Sequence, residues 1–218
     1  MSKRMKLFEF ELEQRRTFAG ITGLYGLASY AYAYWRTAHA LVEHLGPVQH
    51  PSIRCPLHRL FEGGGRPDFS TFPIAYLYRH ALELMLKAIL VEHHPKYSST
   101  PADIFERRHK FTDTYIDELK ATIANVNAGE QMIDVTPDEW SHLEDIFRQW
   151  RDRDLDGMAF RYSVNLKNTK SLIDPDFTFN VQRFSTAMEE VLEVLAGIKH
   201  ELDSLKYSDF LRGEVPDE

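Results

Sequence analysis

In the stretch FPIAYLYRHALELMLKAIL, residues 72–90, four titratable side chains interrupt an otherwise apolar run: Arg79, His80, Glu83 and Lys87. If the stretch is a helix, the spacing of four places Arg79, Glu83 and Lys87 on one face, with Tyr76 and His80 beside them. Glu83 ahead of Lys87 is the favourable order for an i,i+4 ion pair. Two readings of this stripe are open. It is the solvent face of a central helix, or it is one wall of a cleft whose charges are held for a ligand, as central helices of bundles provide. Spacing alone does not separate them.

Three segments carry a family resemblance. YRHALELMLKAIL, then RRHKFTDTY, then MAFRYSVN resemble the HEPN superfamily of small α-helical domains from prokaryotic defence and toxin–antitoxin systems. The matching residues are Arg79, Leu82, Glu83, Leu84, Leu86 and Lys87, with His109 at the start of the next helix. The resemblance implies that the Arg79 helix adjoins the His109 region. Arg79, Glu83, His109 and Arg161 then form one polar cluster. It also implies action on RNA or nucleotides, with His109 and Arg161 as catalytic groups and Arg79, Glu83 and Lys87 as substrate-binding groups. An imidazole exchanges protons near neutral pH. A guanidinium is permanently charged and planar, which suits phosphate. Metal-free RNA cleavage needs such a base for the 2′-hydroxyl and such a cation for the developing phosphorane charge. The family's ribonucleases place a His a few residues after an Arg. Here Met158 stands where that His belongs after Arg153, and RYSVN, Arg161 to Asn165, also lacks it. Catalysis is therefore an open expectation beside two alternatives. One is a non-enzymatic binding module whose seam is structural, with Arg161 paired to Glu83, or holds a protein partner. The other is a calcium-responsive helical protein.

The calcium alternative rests on DRDLDG, which matches the first half of a calcium loop through Asp152, Asp154 and Asp156, with Gly157 at the turn. Position twelve is Ser163 rather than Glu. Acids at a helix C-terminus also oppose its dipole, so a solvated helix end explains them poorly. CPLH sets Cys55 near His58, but a zinc site needs two more ligands at similar spacing. GGGR at Gly63 to Arg66 follows no strand and makes a weak phosphate loop. No resident cofactor or metal is expected.

The elements that must position these residues are helices. A long helix over about Thr17 to Leu45 ends at Gly46 and Pro47. A proline- and glycine-containing loop of about 25 residues follows. The central helix begins near Ser70 or Thr71, carries Pro73 in its first turn and stops at Pro95. A third helix covers about Phe105 to Asn127. TPDE opens the fourth, with Thr136 as cap, Pro137 at the first position and Glu139 completing a capping box. A last long helix starts near Asp176. FRYSVNL is the best strand candidate. The expected fold is all-α: a helical bundle of four to five main helices with a long loop after helix one. Residues 1–16 read as a lead-in, 17–212 as a single HEPN-like domain and 213–218 as a loose acidic tail.

Composition bounds the partners. The chain has 218 residues, a formal net charge of −7 and one cysteine, Cys55. An acidic surface does not favour broad, sequence-independent binding to nucleic acid, though it allows a local basic groove. One cysteine forbids an intrachain disulfide and suits the cytosol. Phe18 to Trp35 carries no charge, yet it is rich in Gly, Ala, Ser and Tyr, so no membrane is expected. RNA or a nucleotide, a protein partner and a homodimer formed through the long helices are the expected associations.

Overall fold

A computed structural model describes residues 26–45, 71–107, 109–112, 114–129, 132–154, 157 and 180–212. Among the described residues there are seven helices and no strand: α1 (Gly26–Leu45), α2 (Thr71–His93), α3 (Pro95–Ser99), α4 (Ala102–Glu106), α5 (Thr114–Asn127), α6 (Pro137–Asp154) and α7 (Val181–Arg212). The protein is all-α, as its periodicity indicates. FRYSVNL, the loop over 46–70, the 1–16 lead-in and the tail after Arg212 lie outside the described residues.

Helix α2 is the axis. It packs against α1, α3, α5 and α7, which explains why its sequence is apolar on nearly every side. Ile74, Ala75, Tyr78, Leu82, Met85, Leu86, Ile89 and Leu90 have no exposed surface. Ala31 and Ala38, seven apart on α1, are also fully buried. Their small side chains let α1 lie close to its neighbours. No described helix is long and apolar enough to cross a membrane.

Polar pairs fasten these helices at both ends of α2. The Tyr78 hydroxyl meets Ser185 Oγ at 2.9 Å and also Glu189 on α7. Trp35 and His39 of α1 reach the same Glu189 carboxylate. Farther along, Lys199 Nζ of α7 donates to Glu92 Oε2 at 2.7 Å and to Asp203 Oδ1 at 2.6 Å. His93 lies in the last turn of α2, where a partial positive charge suits the dipole. His94 has a different role from the C-terminal one its position suggests. It is the N-cap of α3, its Nδ1 accepting from Lys96 N.

The caps follow local chemistry. Thr136 Oγ1 accepts from Glu139 N at 3.2 Å, and Glu139 Oε2 accepts from Thr136 N at 2.8 Å. The expected capping box is thus present. Asn180 Oδ1 accepts from Arg183 N, so α7 begins at Val181 and not near Asp176. The expected third helix, Phe105 to Asn127, is interrupted: α4 ends at Glu106 and α5 begins at Thr114. His109 sits in that break. Replacing Thr136 by Ala is expected to cost about 1 kcal/mol of stability, and Leu86→Ala about 2–5 kcal/mol. Denaturant unfolding of the two variants checks this ranking.

Candidate functional site

Arg79, Glu83 and Lys87 share one face of α2, as their spacing requires. That face is not a solvent face: the three residues are 0%, 2% and 4% exposed. A buried charge must be met by an opposite charge or by hydrogen bonds, and the structure supplies both. Arg79 Nη1 donates to Glu83 Oε2 at 3.1 Å. Arg79 Nε lies 2.9 Å from Asp154 Oδ2, at the end of α6. Arg79 Nη2 donates to two backbone carbonyls, His109 O at 2.5 Å and Asp154 O at 3.1 Å. The guanidinium also lies over the Phe111 ring, 4.5 Å from its centroid. Lys87 Nζ donates to Glu83 Oε1 at 2.7 Å. Two cations and two carboxylates therefore balance in the interior.

The break between α4 and α5 is locked from both sides. Arg107 forks onto Glu118 of α5, with Nη1–Oε2 at 2.7 Å and Nη2–Oε1 at 2.6 Å. Tyr97 of α3 donates to the same carboxylate at 2.6 Å. Two residues on, Arg79 holds the His109 carbonyl. Past it, Phe111 is buried beneath the guanidinium and packs edge-on against Phe147 of α6. Gly157 closes the remaining side. Its φ is 73°, and its N–H donates to Asp154 O at 3.2 Å. A Cβ there would lie 2.8 Å from Arg79 Nη1 and 3.1 Å from His109 Cβ. Glycine is required by both the backbone angle and the close approach.

His109 is the accessible member, its side chain 41% exposed. Its Nδ1 lies 3.1 Å from Glu83 Oε1 and 3.2 Å from Oε2. Burial alone would raise the Glu83 pKa. The nearby His80 ring, its Nδ1 3.8 Å from Glu83 Oε2, and the charges and bonds of Lys87 and Arg79 outweigh it and hold the carboxyl well below the usual range. An ionised carboxylate only accepts, so Nδ1 of His109 is the donor. A neutral ring then carries its lone pair on Nε2, on the side away from Glu83. His80 stands beside it, with ring centroids 5.8 Å apart and the planes tilted by 53°. Tyr34 meets His80 edge-on at 4.5 Å, and Tyr76 stacks on it at 5.6 Å.

The donor atoms of His80, Glu83 and His109 lie within 4.8 Å of one another. As a metal site the trio fits poorly, because both Glu83 oxygens already carry cations, Lys87 on one and Arg79 on the other. A divalent ion would stand beside two fixed positive charges. The second such group, Glu92, His93 and Asp203, encloses Lys199 in the same way.

Of the expected cluster, Arg79, Glu83 and His109 come together, with Lys87 beside them on Glu83. Arg161 lies outside the described residues, as do Cys55, His58, Gly63–Gly65 and Asp156. Of the expected substrate-binding residues, Arg79 and Lys87 are buried and both face Glu83. Asp154, a ligand in the calcium alternative, is buried and faces Arg79, while Asp152 is exposed and pairs with Arg151 Nε at 3.1 Å. Sequence reasoning missed Phe111 and the closing role of Gly157. The acids at the end of α6, unfavourable for its dipole, were the available signal for Asp154.

Two outcomes follow from this geometry. Gly157→Ala places a left-handed backbone and a steric clash on an L side chain and is expected to cost at least about 1–2 kcal/mol, read by thermal or denaturant unfolding. Glu83 gives the acid limb of stability. Its folded pKa is depressed, so the unfolded chain takes up the proton first as pH falls below about 4.3. Its stabilisation is full above that value and declines below it. Glu83→Gln is expected to be less stable at neutral pH and to show a flatter decline between about pH 4.5 and 2, measured by urea titrations across that range. No protein-family model matches the chain, and neither the curated proteins nor the solved structures give a significant match.

Proposed function

We propose that the protein acts on RNA or a nucleotide as a HEPN-like component of prokaryotic defence or toxin–antitoxin systems, with His109 as its acid–base group. The observation that carries this reading is the exposed His109 imidazole, whose Nδ1 rests on a buried, ionised Glu83. A base must be oriented as well as present. Glu83 fixes the ring through Nδ1, and Arg79 fixes the backbone beneath it through the His109 carbonyl. Arg79, Glu83 and Lys87 then act as positioning residues, and the cation facing the phosphate falls to Arg161. In RNA, His109 Nε2 would take the 2′-hydroxyl proton as O2′ attacks phosphorus and the P–O5′ bond breaks. The 5′-oxygen leaves with a proton from a second donor, a role we give to His80, the ring beside His109.

A second reading has its own support. Arg79, Glu83, Lys87 and Asp154 satisfy one another internally, which suits a non-enzymatic module whose seam is structural. Cleavage of a labelled RNA in EDTA separates the two. The catalytic reading expects turnover in the wild type and a loss of at least about hundredfold in kcat for His109→Ala at an unchanged melting temperature. No cleavage by the wild type leaves the binding module standing, and equal cleavage by His109→Ala removes His109 as the acid–base group.

A further inference from the structure

Away from His109, α6 and α7 enclose a groove of about 550 Å³. Its α7 wall is one helical stripe: Glu190, Glu193, Val194, Gly197, Ile198 and Glu201 follow each other at spacings of three, one, three, one and three. Such a stripe rises about 16 Å, or three turns. The opposite wall is the segment leading into α6 and its first turns, with Ile133, Val135 and His142. The floor is apolar. Ile133 and Ile198 are each 3% exposed, with Val135 and Val194 half-buried beside them. Gly197 is exposed on this wall, and a Cβ added there meets only open space, with nothing within 4 Å. Met132, 79% exposed, precedes Ile133 at the groove's end, and methionine adapts readily to an incoming apolar surface.

The rim has one sign. Asp134, Asp138, Glu139, Glu190, Glu193 and Glu201 line the groove, and among the described residues no Lys or Arg does. Glu139 is engaged by Thr136 in the capping box, and Glu190 meets His142 Nε2 at 3.3 Å. The other four stand over an apolar trough about three helical turns long. An apolar trough draws an apolar face, and the unbalanced carboxylates select positive charge around it.

We propose that this groove is a docking site for a basic amphipathic helix of a partner protein. Its apolar stripe would lie on Val135, Val194 and Ile198, a bulky side chain would fill the space above Gly197, and its Lys and Arg residues would meet the rim. Both the peptide-in-groove geometry and the charge are needed, so the test separates them. The probe is a synthetic helical peptide of about four turns with leucines at i, i+3, i+4 and i+7 and lysines elsewhere, followed by fluorescence anisotropy. Gly197→Leu fills the floor without changing charge and raises helix propensity, so it is expected to fold. The double variant Glu190→Lys, Glu193→Lys turns two of the six rim carboxylates into cations.

The expected result is saturable binding by the wild type, weakened at least about tenfold by Gly197→Leu and by the double variant. Equal binding by wild type and Gly197→Leu would mean charge attraction to an acidic surface, and would overturn the proposal. So would no binding by the wild type. A concentration-dependent dimer in sedimentation that Gly197→Leu abolishes would assign the groove to a second copy of this chain instead.

Discussion

A carboxylate cannot remain ionised in the interior unless positive charge and donors surround it, and the site is organised by that constraint at Glu83. Arg79 and Lys87 reach it from one turn on either side along α2, and His109 reaches it from another segment. Each charge is costly to bury alone. Together they form a set in which removing one partner leaves another uncompensated, an error worth about 3–5 kcal/mol in buried pairs. Arg79 extends the network to the end of α6 through Asp154 and to the α4–α5 break through a backbone carbonyl. Three separate parts of the chain are placed by one guanidinium.

The surrounding polar contacts repeat the same logic at lower cost. Glu118 gathers Arg107 and Tyr97 and thereby fixes the residue two before His109. Glu189 gathers Tyr78, Trp35 and His39 and joins α1, α2 and α7. In each case a carboxylate collects donors from different helices, whereas the apolar core between them is non-directional. Carboxylates supply the registration that packing of leucines and alanines leaves loose.

Much of this was legible in the sequence. The all-α class, the span of α2, the capping box at Thr136 and the shared face of Arg79, Glu83 and Lys87 all follow from spacing and turn chemistry. The burial of that face was not legible. Hydropathy reads three charges in a row as wet, and only partners distant in sequence make them dry. Asp154 is 75 positions from Arg79, a separation no local pattern spans. The break around His109 was hidden for a related reason. Residues 105–127 keep helix-compatible spacing, yet Arg107, Phe111 and the His109 carbonyl each gain more from tertiary partners than from a continuous helix.

Arg79 bonds to the chain itself as well as to side chains. Its two carbonyl contacts close loops of 30 and 75 residues. The entropy of closing such loops must be met before either contact forms. The His109 geometry therefore needs α2, the α4–α5 break and the end of α6 in place together. Partly folded chains carry the same histidine without its orientation. A cluster built this way is complete only where all three segments have met.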